Sequence, residues 1–160
     1  MLAVKLICVG KLRERFYADA MAEYAKRLGA YCRFEVTELA EERLPEAPSP
    51  AQIVAALDRE AVEILKNIPK DAYVVAMCVE GRQIPSEEMA ELIMERERSG
   101  RPKLCFVIGG SFGLAEGIKK HADLRLSMSK MTFPHHLARV MLAEQIYRGF
   151  KIKEGSRYHK

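Results

Sequence analysis

The chain has 160 residues, of which 49% are hydrophobic and 30% charged, with a formal net charge of +4. That is enough for one domain with a sizeable core, and it excludes a disordered or collagen-like chain. No apolar run approaches the roughly twenty residues that a membrane-spanning helix needs. The opening MLAVKLICVGK is too short and too quickly charged for a secretory signal, so a first strand is expected there.

Leu2 to Val9 reads as a strand ended by Gly10. Glu14 to Leu28 places Phe16, Ala20, Met21, Tyr24, Ala25 and Leu28 at helical spacing, and Gly29 supplies the stop. Arg33 to Leu39 alternates as a half-buried strand, and Glu41 to Pro50, with three prolines and three glutamates, reads as a surface loop. A helix is expected from Pro50 to Ile68 with Ile53, Leu57, Val62 and Leu65 inward. Tyr73 to Val79 is a short apolar strand ended by Glu80-Gly81-Arg82. Pro85-Ser86-Glu87-Glu88 opens the next helix with its acids in the first turn, where they suit the helix dipole, and Gly100 ends it.

Leu104 to Ile108 is a buried-strand run that breaks directly into Gly109-Gly110-Ser111-Phe112-Gly113. After a short helical piece, Leu124 to Met128 forms another strand, followed by the loop Ser129 to Phe133. Pro134 then opens a long helix to Ile152. This order predicts an α/β fold, a mostly parallel sheet with helices on both faces, in one domain spanning 1–160. Apolar residues point in most directions around the last helix, and only Glu144, Arg148 and Lys151 form a clear polar stripe. Such a helix is expected to be buried on two sides, by its own sheet and by a partner, with a two-fold homodimer as the commonest solution.

Cys8, Cys32, Cys78 and Cys105 are widely spaced, and at least three sit in apolar runs. Free buried thiols are expected, with a reducing cytoplasm as the corollary. No C-x-x-C or His/Cys cluster suggests a metal. The charge is unevenly placed. Residues 119–160 carry ten Lys/Arg against three Asp/Glu, a net of +7, and residues 1–118 carry sixteen against nineteen, a net of −3. A basic third on an acidic body is the footprint of a polyanion partner.

Strand-then-glycine is where an open α/β sheet places a ligand, because glycine lets the backbone approach it. Two strand ends close in sequence, Ile108 and Met128, therefore suggest one pocket walled by two loops. The glycines fit neither the G-x-G-x-x-G dinucleotide spacing nor a triphosphate-binding loop. Together FVIGGSFGL, LSMSKMTFPHHLARVMLAEQIYRGFKI and the terminal RYHK closely resemble the SPOUT class of RNA methyltransferases. Within that class they resemble the small ribosomal enzymes that methylate N3 of a pseudouridine in large-subunit (23S) RNA. VGKLRERF and AEYAKRL are similar too, so the resemblance covers the whole chain, with the last third its specific part.

The resemblance implies S-adenosylmethionine as methyl donor, a homodimer, the assembled ribosome as substrate and a C-terminal trefoil knot. Knots are nearly absent from folds in general, so this one is implied by resemblance alone. Residues matching the family's cofactor site are Met77, Gly109 and Met128, Ser129, Lys130, Met131, Thr132 and Phe133. Backbone groups of two adjacent loops suit the edges of an adenine, with Met77, Met131 and Phe133 as apolar walls. For Met128 taken alone, core packing is the favoured reading.

The acceptor nitrogen is weakly acidic and must lose its proton, so a histidine or carboxylate is sought as general base. The sequence offers His135, His136, Glu144 and His159 without choosing, and His136, Glu144 and His159 are the catalytic candidates carried forward. His135 and His136 point about 100° apart on a helix, so at least one should be a structural hydrogen-bonding partner. Glu144 has Arg148 one turn on, which makes an ion pair the alternative. For RNA contact the candidates are Arg139, Arg148, Arg157, Tyr158 and His159, since an aromatic ring stacks on a base and an arginine holds a phosphate. Two other functions stand beside this one: a non-catalytic ribosome- or RNA-binding module using the basic C-terminal third, and an enzyme of another nucleotide cofactor.

Overall fold

The computed structural model describes residues 1–160. Ten elements alternate: β1 (Ala3–Val9), α1 (Arg15–Leu28), β2 (Arg33–Leu39), α2 (Pro50–Asn67), β3 (Tyr73–Arg82), α3 (Ser86–Arg98), β4 (Lys103–Ile108), α4 (Glu116–His121), β5 (Leu124–Leu126) and α5 (His135–Lys153). The strands form one sheet in the order β2-β1-β4-β3-β5, and every pairing is parallel. β1 and β4 are neighbours inside it, in register from Ala3 opposite Lys103 to Cys8 opposite Ile108.

Both faces of those two strands are buried, which explains their nearly unbroken apolar sequences. Successive side chains go to opposite faces. Val4, Leu6, Cys8, Leu104, Phe106 and Ile108 join one core cluster, while Ile7, Val9, Cys105 and Val107 join the other. The first cluster includes Met21 and Leu28 of α1, Met89 and Ile93 of α3, and Leu142, Ile146 and Phe150 of α5. The second includes Ala61 and Ile64 of α2 and Ile118 of α4. Helices α1, α3 and α5 thus cover one face, and α2 and α4 the other. All four cysteines are free; Cys8, Cys32 and Cys105 are buried and Cys78 half-buried. No helix is long and apolar enough to cross a membrane.

Two expectations are corrected. In α2 the buried side chains are Ala56, Glu60, Ala61 and Ile64, whereas Val62 and Leu65 are 53% and 46% exposed. The small alanines bring the helix close to the sheet. Glu60 turns inward because its carboxylate accepts the Glu42 amide at 2.8 Å, anchoring the loop before the helix. β3 does not end at Val79: it continues through an irregularity to Arg82, which pairs with Leu126. Gly81 makes that possible, since a Cβ there would meet the Arg125 and Leu126 backbone at 2.8 Å. Helix α5 packs against both α1 and α3, and every residue from His135 to Ile152 is buried or half-buried. Its own neighbours supply much of the cover expected from a partner.

The deepest charged group is Arg139 of α5, only 1% exposed. It donates from Nη1 to Glu38 Oε2 at 2.5 Å and from Nη2 to the Gly10 carbonyl at 3.1 Å. Glu38 Oε2 also accepts the Leu12 amide at 3.0 Å. One ion pair therefore joins α5 to the ends of β1 and β2. Burial pushes the Glu38 carboxyl up, but the hydrogen bonds from Arg139 and the Leu12 amide outweigh it and hold the group below its ordinary value. Its contribution to stability is thus present above the unfolded carboxyl pKa and is lost as pH falls through the folded one. We expect Glu38→Gln to lower stability at pH 7 by about 2 kcal/mol, because it strands a buried guanidinium; the partial exposure of Glu38 keeps the cost below that of a fully buried pair. Denaturant unfolding should show the difference shrinking as the pH is lowered towards about 3.

Candidate functional site

The carboxyl ends of β3, β4 and β5 open onto a cleft of 560 Å³, a size suited to a nucleoside-sized ligand. Its walls are Met77–Glu80 in the second half of β3, Ile108–Leu114 from the end of β4, and Leu126–Pro134 (Lys130 excepted) from the end of β5, with His135 and Ala138 from the first turn of α5. Of the residues expected to bind the cofactor, the structure brings together Met77, Gly109, Met128, Ser129, Met131, Thr132 and Phe133. Lys130 does not line the cleft and is exposed. Met128 serves both readings, packing against the first core cluster while lining the cleft.

The fit to a methyl donor of the S-adenosylmethionine kind rests on the backbone. The amides of Gly109, Ser129, Thr132 and Phe133 donate to no acceptor in the protein, although they border the cleft, whereas Gly110 is bridged to Gly113. The loop after β5 is shaped internally, with Ser127 Oγ donating to the Ser129 carbonyl at 2.9 Å and the Met131 amide donating to Ser129 Oγ at 3.1 Å. Unpaired donors of this kind match the edge of an adenine, and Met77, Phe133 and the rim residues Phe112 and Met131 (47% and 73% exposed) offer it apolar surfaces. On the cleft wall Lys119 pairs with Glu80 at 2.5 Å.

The glycine loop is tight for its own reasons. A Cβ on Gly109 would collide with the Gly113 carbonyl group, and one on Gly110 would lie 2.6 Å from Glu41 Oε1. Glu41 belongs to the β2–α2 loop and accepts the Ser111 amide at 2.8 Å. No local pattern announces that buttress, because its partners are 70 residues apart. Gly109 is therefore required by loop closure first and by ligand approach second.

The other candidates separate. Arg139 is corrected outright: buried beneath Glu38, it cannot reach RNA. Arg148 donates to Glu144 Oε1 from Nε and Nη2 at 3.0 and 2.6 Å, the ion pair that the i,i+4 spacing allows. Tyr158 donates to the same carboxylate oxygen at 3.1 Å and packs edge-on against Tyr147; burial and then Glu144 push its phenol up to about 12. His159 lies between Arg148 at 3.2 Å and Glu87 at 2.8 Å. The tail thus folds back on α5 and the start of α3, and none of residues 154–160 lines the cleft. Arg157 is exposed. His136 is the structural histidine of its pair, with Nδ1 2.9 Å from Glu14 Oε2. His135 lines the cleft. No group of three or more His, Cys, Asp or Glu is arranged to hold a metal.

Of the ten basic side chains in residues 119–160, five are tied to acids: Lys119, Arg139, Arg148, Lys151 and Lys153. The free cations are Lys120, Arg125, Lys130, Arg157 and Lys160, so the basic footprint is weaker than the composition suggests.

The loop geometry makes a prediction. Gly109→Ala should weaken S-adenosylmethionine binding by more than about tenfold, through displacement of the Gly113 turn. Gly117→Ala, whose Cβ meets nothing within 4 Å in α4, should leave affinity unchanged. Calorimetry on both folded variants checks the contrast.

The family model described as "Predicted SPOUT methyltransferase" matches residues 2–159. A protein of Streptococcus pyogenes serotype M5, named ribosomal RNA large subunit methyltransferase H, is 48% identical over 98% of this chain and 99% of its own. The Bacillus pumilus protein of the same name is 45% identical over the same shares. Among solved structures, the tRNA (m1G37) methyltransferase from Aquifex aeolicus superposes with a TM-score of 0.51 at 14% identity, covering 91% of this chain and 69% of that one, which is a likeness of fold. A parallel sheet with its cleft between the loops after β4 and β5, matched from end to end by that family model, places this chain in the SPOUT methyltransferase family.

Proposed function

We propose that the protein methylates N3 of a pseudouridine in 23S ribosomal RNA on the assembled ribosome, using S-adenosylmethionine, as a cytoplasmic homodimer. The observation that carries this reading is the cleft walled by two loops whose backbone amides have no partner in the protein. Full-length similarity to relatives named ribosomal RNA large subunit methyltransferases supports the substrate class.

The bound donor supplies an already activated methyl group, so the protein's work is positioning and proton management. Met77, Met131 and Phe133 offer the ligand apolar surface, and the amides of Gly109, Thr132 and Phe133 orient it by its polar edges. The free cations of the C-terminal third, with Tyr158 as a stacking surface, are the RNA contacts that remain once the paired ones are set aside.

Support for a dimer comes from a second groove, beside α5. It is lined by Tyr24, Ile84, Met89, Met128, Val140 and Met141, with Glu144 and Gln145 at its edge. Its floor shares Leu126–Met128 with the cleft. A second copy seated there would bring its own tail towards this cleft, which the tail of the same chain does not reach. On this reading Arg157, Tyr158 and His159 complete the partner's site.

Four outcomes are expected. Met141→Glu, at a half-buried position in the groove, should convert a micromolar dimer into a folded monomer, read by sedimentation. Ile146 is fully buried in the chain's own core, so Ile146→Glu should unfold the protein instead. Deleting residues 156–160 should preserve fold and dimer but slow methyl transfer more than about tenfold, a loss above about 1.4 kcal/mol. Mixing tail-less subunits with Gly109→Val subunits should restore activity, because the intact cleft on one then receives the tail of the other. Heterodimers without recovery would place the tail over its own cleft.

A further inference from the structure

Besides Glu80, which lines the cleft paired with Lys119, four groups have the chemistry to take a proton from N3–H of a uracil ring, and three are already engaged. Glu144 accepts from Arg148 and from the Tyr158 hydroxyl. His159 is held between Arg148 and Glu87. His136 is held by Glu14. The fourth, His135, lines the cleft, and neither of its ring nitrogens has a hydrogen-bond partner in the protein. It stands on the first turn of α5, next to the loop that borders the cleft. We propose that His135 is the general base that removes the N3 proton of the acceptor ring, an assignment that rests on the methyltransferase reading above.

Atoms and electrons balance in this step. The N3–H bond breaks and its proton goes to the imidazole. The electron pair left on N3 forms the new bond to the methyl carbon, and the electrons of the carbon–sulfur bond pass to the sulfur, which leaves as a neutral thioether. The imidazolium then releases its proton to water.

The surroundings of His135 keep it ready for that role. Burial, followed by the neighbouring His136, holds its imidazole below the ordinary value, so the ring is neutral at pH 7. Arg139 acts in the same direction, and Glu41 from the β2–α2 loop and Glu14 at the start of α1 oppose it without prevailing. A position at a helix N-terminus also disfavours the cation. His136 packs edge-on against the ring, with centroids 4.2 Å apart. Because His136 is itself fixed by Glu14, the orientation of His135 is determined by a group outside its own helix.

The test compares wild type and His135→Asn as dimers. Donor affinity is measured by calorimetry, methyl transfer by single turnover on ribosomes lacking the modification, and the imidazole signals by NMR titration. The His135 signal should titrate below pH 6.5 and move when a pseudouridine-containing RNA hairpin is added. The wild-type rate should fall as pH drops through that midpoint. His135→Asn should bind the donor within about threefold of wild type but transfer methyl more than about a hundredfold more slowly, with the acid limb gone. Added imidazole should recover part of the rate. Turnover retained in His135→Asn overturns the assignment, and so does donor affinity lost in step with turnover, which would make His135 a wall of the cofactor site. A wild type that binds no S-adenosylmethionine overturns the methyltransferase reading itself, so the two failures are distinguishable.

Discussion

Arg139 sets the geometry on which the rest of the site depends. A guanidinium that is 1% exposed must have its charge and its donors matched, or the helix that carries it cannot pack. Glu38 and the Gly10 carbonyl provide that match, although Nε is left without a partner. The requirement fixes the rotation of α5 about its axis. Since His135 lies four residues earlier, it projects from the same side of the helix, towards Gly10 and the mouth of the cleft. The same interaction pins the turn at Gly10, whose φ of +97° only glycine adopts without strain. A core-type constraint at one end of the sheet therefore orients the side chain that faces the cleft.

The carboxyl edge of the sheet divides by chemistry. After β1 and β2 the chain presents paired charges: Glu38 with Arg139, and Glu14 with His136. Along the second half of β3 and after β4 and β5 it presents apolar side chains and unpaired backbone amides. Glu41 links the two halves, since it accepts the Ser111 amide and fills the space that a Cβ on Gly110 would need. The glycine loop is thus closed from within by Gly113 and propped from outside by a carboxylate. This arrangement is rigid where a ligand's edges must be read, and that rigidity comes from close backbone contacts that no side chain could replace.

Local patterns in the sequence are informative, and long-range pairings are not. The apolar runs of β1 and β4, the Pro50 start of α2 and the Glu144–Arg148 pair are all legible because each depends on residues within one turn or one strand. The rotation of α2 is not, because Val62 and Leu65 look like core residues, whereas the sheet accepts Ala56, Ala61 and a tethered Glu60. Arg139 resembles an RNA contact because nothing in its neighbourhood announces Glu38, 101 residues away. Gly109 stands out as a cleft residue, but the demand of its own turn at Gly113 is invisible without the fold. The loop after β5 is legible as a pocket wall from the strand end before it, but the ligand roles of its single residues come from resemblance alone, since its amides matter where periodicity ends.

The pairing of half the C-terminal cations has a consequence for how RNA is held. Sequence-independent affinity for a polyanion grows with the number of phosphates neutralised and falls with salt in proportion to that number. Lys120, Arg125, Lys130, Arg157 and Lys160, spread over α4, β5, the cleft loop and the tail, are the cations left unpaired for such contacts on the proposed reading. A dimer doubles the number but separates the two sets. On the ribosomal reading, recognition must then draw on the shape of an assembled particle, because one small subunit lacks the charge to seize a naked strand. Pairing Arg148 with Glu144 fits the same reading. It withdraws a cation from the surface but holds Tyr158 and His159 in an ordered arrangement, so on that reading the tail would lose less conformational entropy on meeting RNA.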